Sequence, residues 1–175
     1  FYTCHDKVYA QMINGGFYEF DGQRFHLLLE RTAVGNDNVV AILPYGNSGM
    51  VLLTVDSGLF VYEHGTVSAL RTDIDAQLRW AKGNRAVMVG DSILAIGTIL
   101  DGIYGVDKKG HLLWHLNRDN QLNNNSVMGL FGDRENNLWA ALDDGISFVH
   151  TNTSITLLTP SVRDLSIGMV YGGER

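Results

Sequence analysis

Short apolar runs alternate with polar, glycine-bearing turns along the whole chain. The runs "VYAQMI", "MVLLTV", "ILAIGTI" and "LWAAL" lead into turns at Gly16, Gly58, Gly102 and Gly145, and "FYEF", "LFVY", "IYGV" and "ISFV" follow those turns. Two strand-length apolar runs joined by a turn with Gly predict a β-hairpin, because Gly accepts a positive φ. One more run stands upstream of the later hairpins, "NVVAIL", "AVMVG" and "SVMGLF", and a last run follows each, "RFHLLL", "VSAL", "HLLWHL" and "ITLL".

The turn glycines lie 42, 44 and 43 residues apart. Four strands in roughly 40–45 residues is the size of a β-propeller blade. The fold class expected is therefore all-β, with four-stranded antiparallel blades forming a partial propeller. The blades fall at 1–32 (a fragment), 33–72, 73–118 and 119–160, with the start of another at 161–175. A β-sandwich with coincidentally spaced hairpins is the alternative, and the regular spacing argues against it. Asp73 to Gly83, "DIDAQLRWAKG", is the best helix candidate and reads equally well as an outer strand and loop. The first blade is expected to lack its inner strand. A propeller closes with roughly four to eight blades, and open sheet edges invite pairing. The expected partners are thus the remaining blades of a larger ring, or a second copy in a homodimer.

Composition adds exclusions. Twenty glycines against two prolines among 175 residues suit many tight turns between ordered strands. A net charge of -6 with scattered acidic residues argues against a nucleic-acid surface. The single cysteine, Cys4, has no partner for an internal disulfide, and no zinc-ligand spacing occurs. No apolar run approaches the roughly 20 residues of a membrane-spanning helix. The chain opens "FYTCHDKVYA", without Met or a signal-peptide pattern, and is expected to be part of something longer.

The stretch "LNNNSVMGLFGDRENNLWAALDDGISFV", Leu122 to Val149, resembles the two-component-regulator propeller repeat. Asn124, Asn125, Val127, Asp133, Asn137, Leu138, Trp139, Asp143 and Gly145 match its pattern, while Asn136 stands where Gly is usual and Ala140-Ala141-Leu142 where Gly-Thr is common. Gly97 to Leu122 is similar to the same repeat. The resemblance implies the periplasmic input part of an inner-membrane regulator of Bacteroidetes. Such regulators carry a triple-tyrosine domain, a membrane helix and either a histidine kinase or a DNA-binding output. Many of the kinase type sense oligosaccharides. The chain contains no phospho-acceptor His box, ATP-binding glycine motif or DNA-binding helical unit.

The candidate chemistry is sparse. Asp133 and Trp139 could contact carbohydrate, but at repeat positions they are expected to serve structure: a turn Asp bonding backbone N–H groups, and a Trp packed between blades. With Gly16, Gly58, Gly102 and Gly145 they make up the structural motif. Trp114 is expected on an outer strand as packing. Arg79, Trp80 and Lys82, in "LRWAKGNR", join two blades, and such connectors reach a propeller face. An aromatic beside cations there is the candidate ligand site. The six histidines show no metal grouping. His111 and His115, about 13 Å apart along a strand, lie too far apart for one metal. No nucleophile elbow or phosphate loop occurs, and the adjacent carboxylates Asp143 and Asp144 do not flank a bond. The expected function is a non-catalytic sensor segment that takes an oligosaccharide and no cofactor. A propeller lyase or glycosidase fragment and an interaction scaffold are the alternatives.

Overall fold

Every glycine-centred turn joins two antiparallel strands in the computed structural model, which describes residues 1–12 and 15–151. The first sheet runs β1 (Tyr2–Cys4), β2 (Lys7–Gln11), β3 (Phe17–Phe20) and β4 (Phe25–Leu29). The innermost strand expected to be missing here is present. It is the three-residue β1, turned back onto β2 by His5 and Asp6, with Cys4 opposite Lys7. Both turn residues have positive φ, the mark of a two-residue type I′ hairpin loop.

The second sheet is β5 (Val39–Tyr45), β6 (Gly49–Thr54), β7 (Leu59–Glu63) and β8 (Thr66–Leu70). After helix α1 (Asp75–Ala81) come β9 (Gly83–Val89), β10 (Ile93–Thr98), β11 (Ile103–Asp107) and β12 (Leu112–Leu116). The fourth sheet holds β13 (Val127–Gly132), β14 (Leu138–Leu142) and β15 (Ile146–Val149). The fourth-blade run Ile155 to Leu158 and the further blade placed at 161–175 lie outside the described residues.

Successive innermost strands touch, β1 with β5, β5 with β9 and β9 with β13, and begin 44 residues apart at Val39, Gly83 and Val127. Alternation along each strand sends one set of side chains to the blade before and the other to the blade after. Met50 and Leu52 pack toward the first sheet, while Val51 and Leu53 meet Leu94 and Ile96 of the third. Ala95 then meets Leu138 and Ala140 of the fourth. The arrangement is all-β and forms four consecutive β-propeller blades. The last one carries a cross-strand row of aromatics, Phe131, Trp139 and Phe148, on the side away from the third blade, each 42–64% exposed.

Within the segment 73–83, residues 75–81 form helix α1. Ile74, Leu78 and Ala81 are buried at the spacing of one helical face. Thr72 and Asp75 exchange bonds at its start. The Asp75 carboxylate accepts from the Thr72 backbone N–H at 2.9 Å, and the Thr72 hydroxyl accepts from the Ile74 N–H at 3.3 Å. The Thr72 hydroxyl also donates to the Asp75 carboxylate at 2.7 Å, so the pair braces the turn leading into the helix, whose N-cap residue, Ile74, makes no side-chain bond of its own.

A meander of four antiparallel strands puts the connectors between blades at the same end as the β2–β3, β6–β7, β10–β11 and β14–β15 turns. Backbone bonds at that end repeat with the blades. Val55 N–H donates to Asn38 O, Ile99 N–H to Lys82 O and Asp143 N–H to Ser126 O, each set advancing by 44 residues. Buried Thr54 and Thr98 add their hydroxyls, donating to Gly58 O at 2.8 Å and Gly102 O at 3.0 Å. The Thr98 hydroxyl also accepts from Asp101 N–H at 3.0 Å. Thr98→Val keeps the shape and leaves Gly102 O its bond from Thr98 N–H at 2.8 Å, but it takes the acceptor from the part-buried Asp101 N–H, so a loss of about 1 kcal/mol is expected in urea unfolding. Wild-type stability in this variant would show that the bonds contribute nothing.

Candidate functional site

The residues singled out in the connector take separate places. Arg79 and Trp80 are exposed on α1, Trp80 by 52%. Lys82 ends the helix with a positive φ, and its ammonium pairs with the Asp56 carboxylate of the β6–β7 turn. One of the two cations is therefore held in a tie between connector and turn. Arg79 and Trp80 remain on open helix surface.

The repeat-motif residues serve the turns by different means. Gly58, Gly102 and Gly145 have φ of 88°, 72° and 93°. Gly16 lies outside that region. A Cβ there would stand 2.6 Å from Leu29 O, so close approach is what demands glycine. Asn136, where the repeat usually has Gly, has φ 63°, a conformation Asn tolerates.

Asp133 accepts from the backbone N–H of Glu135 at 2.9 Å and of Asn137 at 2.8 Å, and its other oxygen accepts from the Trp139 indole N–H at 3.2 Å. Trp139 in turn lies 4.5 Å from the Phe148 ring and is 43% exposed. The same device recurs at Asp107, bonded to Lys109 N–H, His111 N–H and the His111 ring. It recurs again at Asp21, bonded to Gln23 and Arg24 N–H and paired with His26. These backbone bonds, led by those from Arg24, His111 and Asn137, hold the carboxyls of Asp21, Asp107 and Asp133 below the usual carboxylate range, Asp21 at about 2. An acid so low does not donate a proton at neutral pH, and its oxygens are already occupied.

Most histidines and the cysteine are equally engaged. The His115 ring stacks on Tyr104 with centroids 4.0 Å apart and donates to Asp101 O. His111 sits in the turn with Asp107, and His150 bonds Asn137. Trp114, on outer strand β12, lies flat over Gly105, where a Cβ would be 2.1 Å from the indole. Cys4 is buried, and that burial pushes its thiol pKa up. Among the described residues no three His, Cys, Asp or Glu side chains group as metal ligands.

A concave site lies at the end of the blades opposite the connectors. The β1–β2 turn (His5, Asp6), the β5–β6 turn (Asn47, Ser48) and the β7–β8 turn (His64, Gly65) meet across the seam between the first two blades. They enclose a cleft of ≈ 430 Å³. Buried Tyr9 and Met50 form its floor. Lys7 and Glu19 form an ion pair of 2.7 Å on one wall, and Tyr62 stands on the other. His5 Nε2–H donates to Gly49 O at 2.9 Å across the seam, which fixes its tautomer and leaves Nδ1 as an acceptor. Burial, then the Glu19 carboxylate, pushes the Tyr9 phenol up to about 12. No motif pointed to this seam, whose residues come from separate turns. A His in each of two type I′ turns, at φ 49° and 51°, is the shared signal.

Known structures supply a comparison for the blade array. The extracellular domain of BT4673 from B. thetaiotaomicron, described once as a one-component and once as a hybrid two-component system, is 18% identical. With TM-scores of 0.62 and 0.61, the match covers 77% of this chain and 18% of that one. The extracellular domain of the hybrid two-component system BT3049 from the same organism gives 0.59 at 16% identity, over 81% of this chain and 19% of that one. The chain has the fold of these regulator ectodomains. It spans about a fifth of their length. The computationally designed protein Ika4 has the fold as well, with a TM-score of 0.57 at 17% identity and 86% of its length covered. No family model and no curated protein sequence matches the chain.

Proposed function

We propose that this chain is a non-catalytic sensor segment of a membrane-spanning signalling regulator, placed in the periplasm and responding to a glycan-derived ligand. The observation that carries the reading is the fold shared with extracellular domains of hybrid two-component systems. The resemblance of residues 122–149 to the two-component-regulator repeat supports the same conclusion from sequence. The engagement of Asp21, Asp107 and Asp133 in their own turns supports a binding role over an acid–base one. The exposed Phe131, Trp139 and Phe148 row supports packing of a further blade of the same regulator against the fourth, as Leu138 and Ala140 pack against the third.

Ligand that binds only the folded protein raises its melting temperature by mass action. For a chain of this size, an oligosaccharide at 100 times its Kd should raise Tm by about 5–10 °C. A thermal-shift panel of plant, host and microbial oligosaccharides tests the reading. Shifts confined to one glycan class support it. A flat response across the panel overturns glycan sensing.

A further inference from the structure

The seam between the first two blades is built as a ligand site, and its chemistry says what kind. It is concave, and its ≈ 430 Å³ falls within the roughly 300–1,000 Å³ of small-molecule sites. The floor is apolar, from Met50 and the Tyr9 ring. The rim is polar and unspent. Asn47, Ser48, Tyr62 and His64 line it, and among the described residues their side chains make no hydrogen bond within the chain. By contrast, the two charged groups, Lys7 and Glu19, neutralise each other.

These features select against a charged ligand, which would have to compete with a formed ion pair. They favour a ring with an apolar face and hydroxyls at its edge. Asn47, Ser48, Tyr62 and His64 offer both donors and acceptors, as hydroxyls require. The site also extends. A second cleft of ≈ 430 Å³, lined by Thr3, Asp6, Val8 and Pro44, shares His5 and Lys7 with the first. Two adjoining hollows on either side of one His–Lys ridge suit a ligand of more than one ring.

We propose that the seam formed by the β1–β2, β5–β6 and β7–β8 turns binds an uncharged oligosaccharide of at least two sugar rings. The inference rests on the glycan-sensing reading and places its site away from Arg79 and Trp80, at the opposite end of the blades. The ligand bridges two blades, touching Lys7 and Glu19 of one and Asn47, Tyr62 and His64 of the next, so occupancy couples to how the blades pack.

The test titrates the protein with neutral di- to tetrasaccharides of glucose, mannose, galactose and xylose, their parent monosaccharides, and uronate-containing disaccharides, read by calorimetry. Tyr62→Phe removes one hydroxyl. His64→Gly removes a ring at a positive-φ position that Gly accepts. Each should weaken a neutral oligosaccharide by about fivefold to tenfold, the parent monosaccharide should bind more weakly, and Trp80→Ala should leave binding unchanged. Binding that survives both seam variants and is lost in Trp80→Ala overturns the seam while leaving glycan sensing standing. Binding of uronates alone overturns the ligand class. No binding by any sugar, with a flat thermal panel, removes both readings.

Discussion

Gly102→Ala should destabilise the protein by about 3–5 kcal/mol, whereas Gly58→Ala, at the equivalent turn one blade earlier, should cost about 1–2 kcal/mol. Both glycines have positive φ, 72° and 88°, so both variants carry the left-handed strain of an L-residue. The difference is what a methyl group meets. At Gly58 nothing stands within 4 Å. At Gly102 a Cβ would lie 2.1 Å from Leu116 O and 2.9 Å from the Asn117 Cα, both backbone atoms that cannot swing aside. Moving them would also strain the bond from Gly102 N–H to Asn125 O, 2.9 Å, which ties this turn to the approach to the fourth blade. Urea midpoints of the two variants, measured together, check the claim. Equal losses would mean that φ alone decides and that the contact with Leu116 relaxes freely.

The second large effect is expected at Asp37. This residue is 8% exposed and stands just before β5. Its carboxylate accepts from the backbone N–H of Asp56 at 2.6 Å, Ser57 at 2.7 Å and Asn38 at 2.7 Å, holding the β6–β7 turn against the start of the blade. Bonds to a charged acceptor are the stronger kind, and Asp37→Ala leaves three donors without it, for a loss of about 3 kcal/mol. The variant also predicts a pH dependence. Burial pushes the Asp37 carboxyl up, but the three backbone donors outweigh it and hold the pKa below the ordinary 3.8. A depressed carboxyl contributes stability above its unfolded value and loses it as pH falls through the folded one. The gap between wild type and Asp37→Asn should therefore be full at pH 7 and narrow below about pH 4. The comparison cancels the similar contributions of Asp21, Asp107 and Asp133. A gap that stays constant down to pH 2 would rule out the carboxylate as its source.

The blades were legible because their turns need a backbone that few residues supply. Gly58, Gly102 and Gly145 mark that need at a nearly fixed interval, and apolar runs on either side complete the hairpins. β1 was not legible because three residues, Tyr2-Thr3-Cys4, carry no periodic pattern, and its turn is made by His5-Asp6 in place of the usual Asn-Gly. The helix α1 hid because only two of its seven residues, Leu78 and Ala81, are buried. Only the T-x-x-D pair at Thr72 and Asp75 marked its start. The connector cations were the visible candidates because they sit together in sequence, yet folding ties Lys82 to Asp56 and leaves Arg79 apart. The seam cleft was invisible for the converse reason. Lys7, Asn47 and His64 become neighbours only when two blades pack, and no spacing along the chain encodes that meeting.

The three equivalent backbone bonds at Asn38, Lys82 and Ser126 recur every 44 residues. Joining the chain from one such point to the next would excise or add one self-contained sheet while its neighbours keep a familiar surface to lean on. Unequal crossing-over at these places would change the number of sheets, and with it the aperture of any ring they close, without rewriting a single seam.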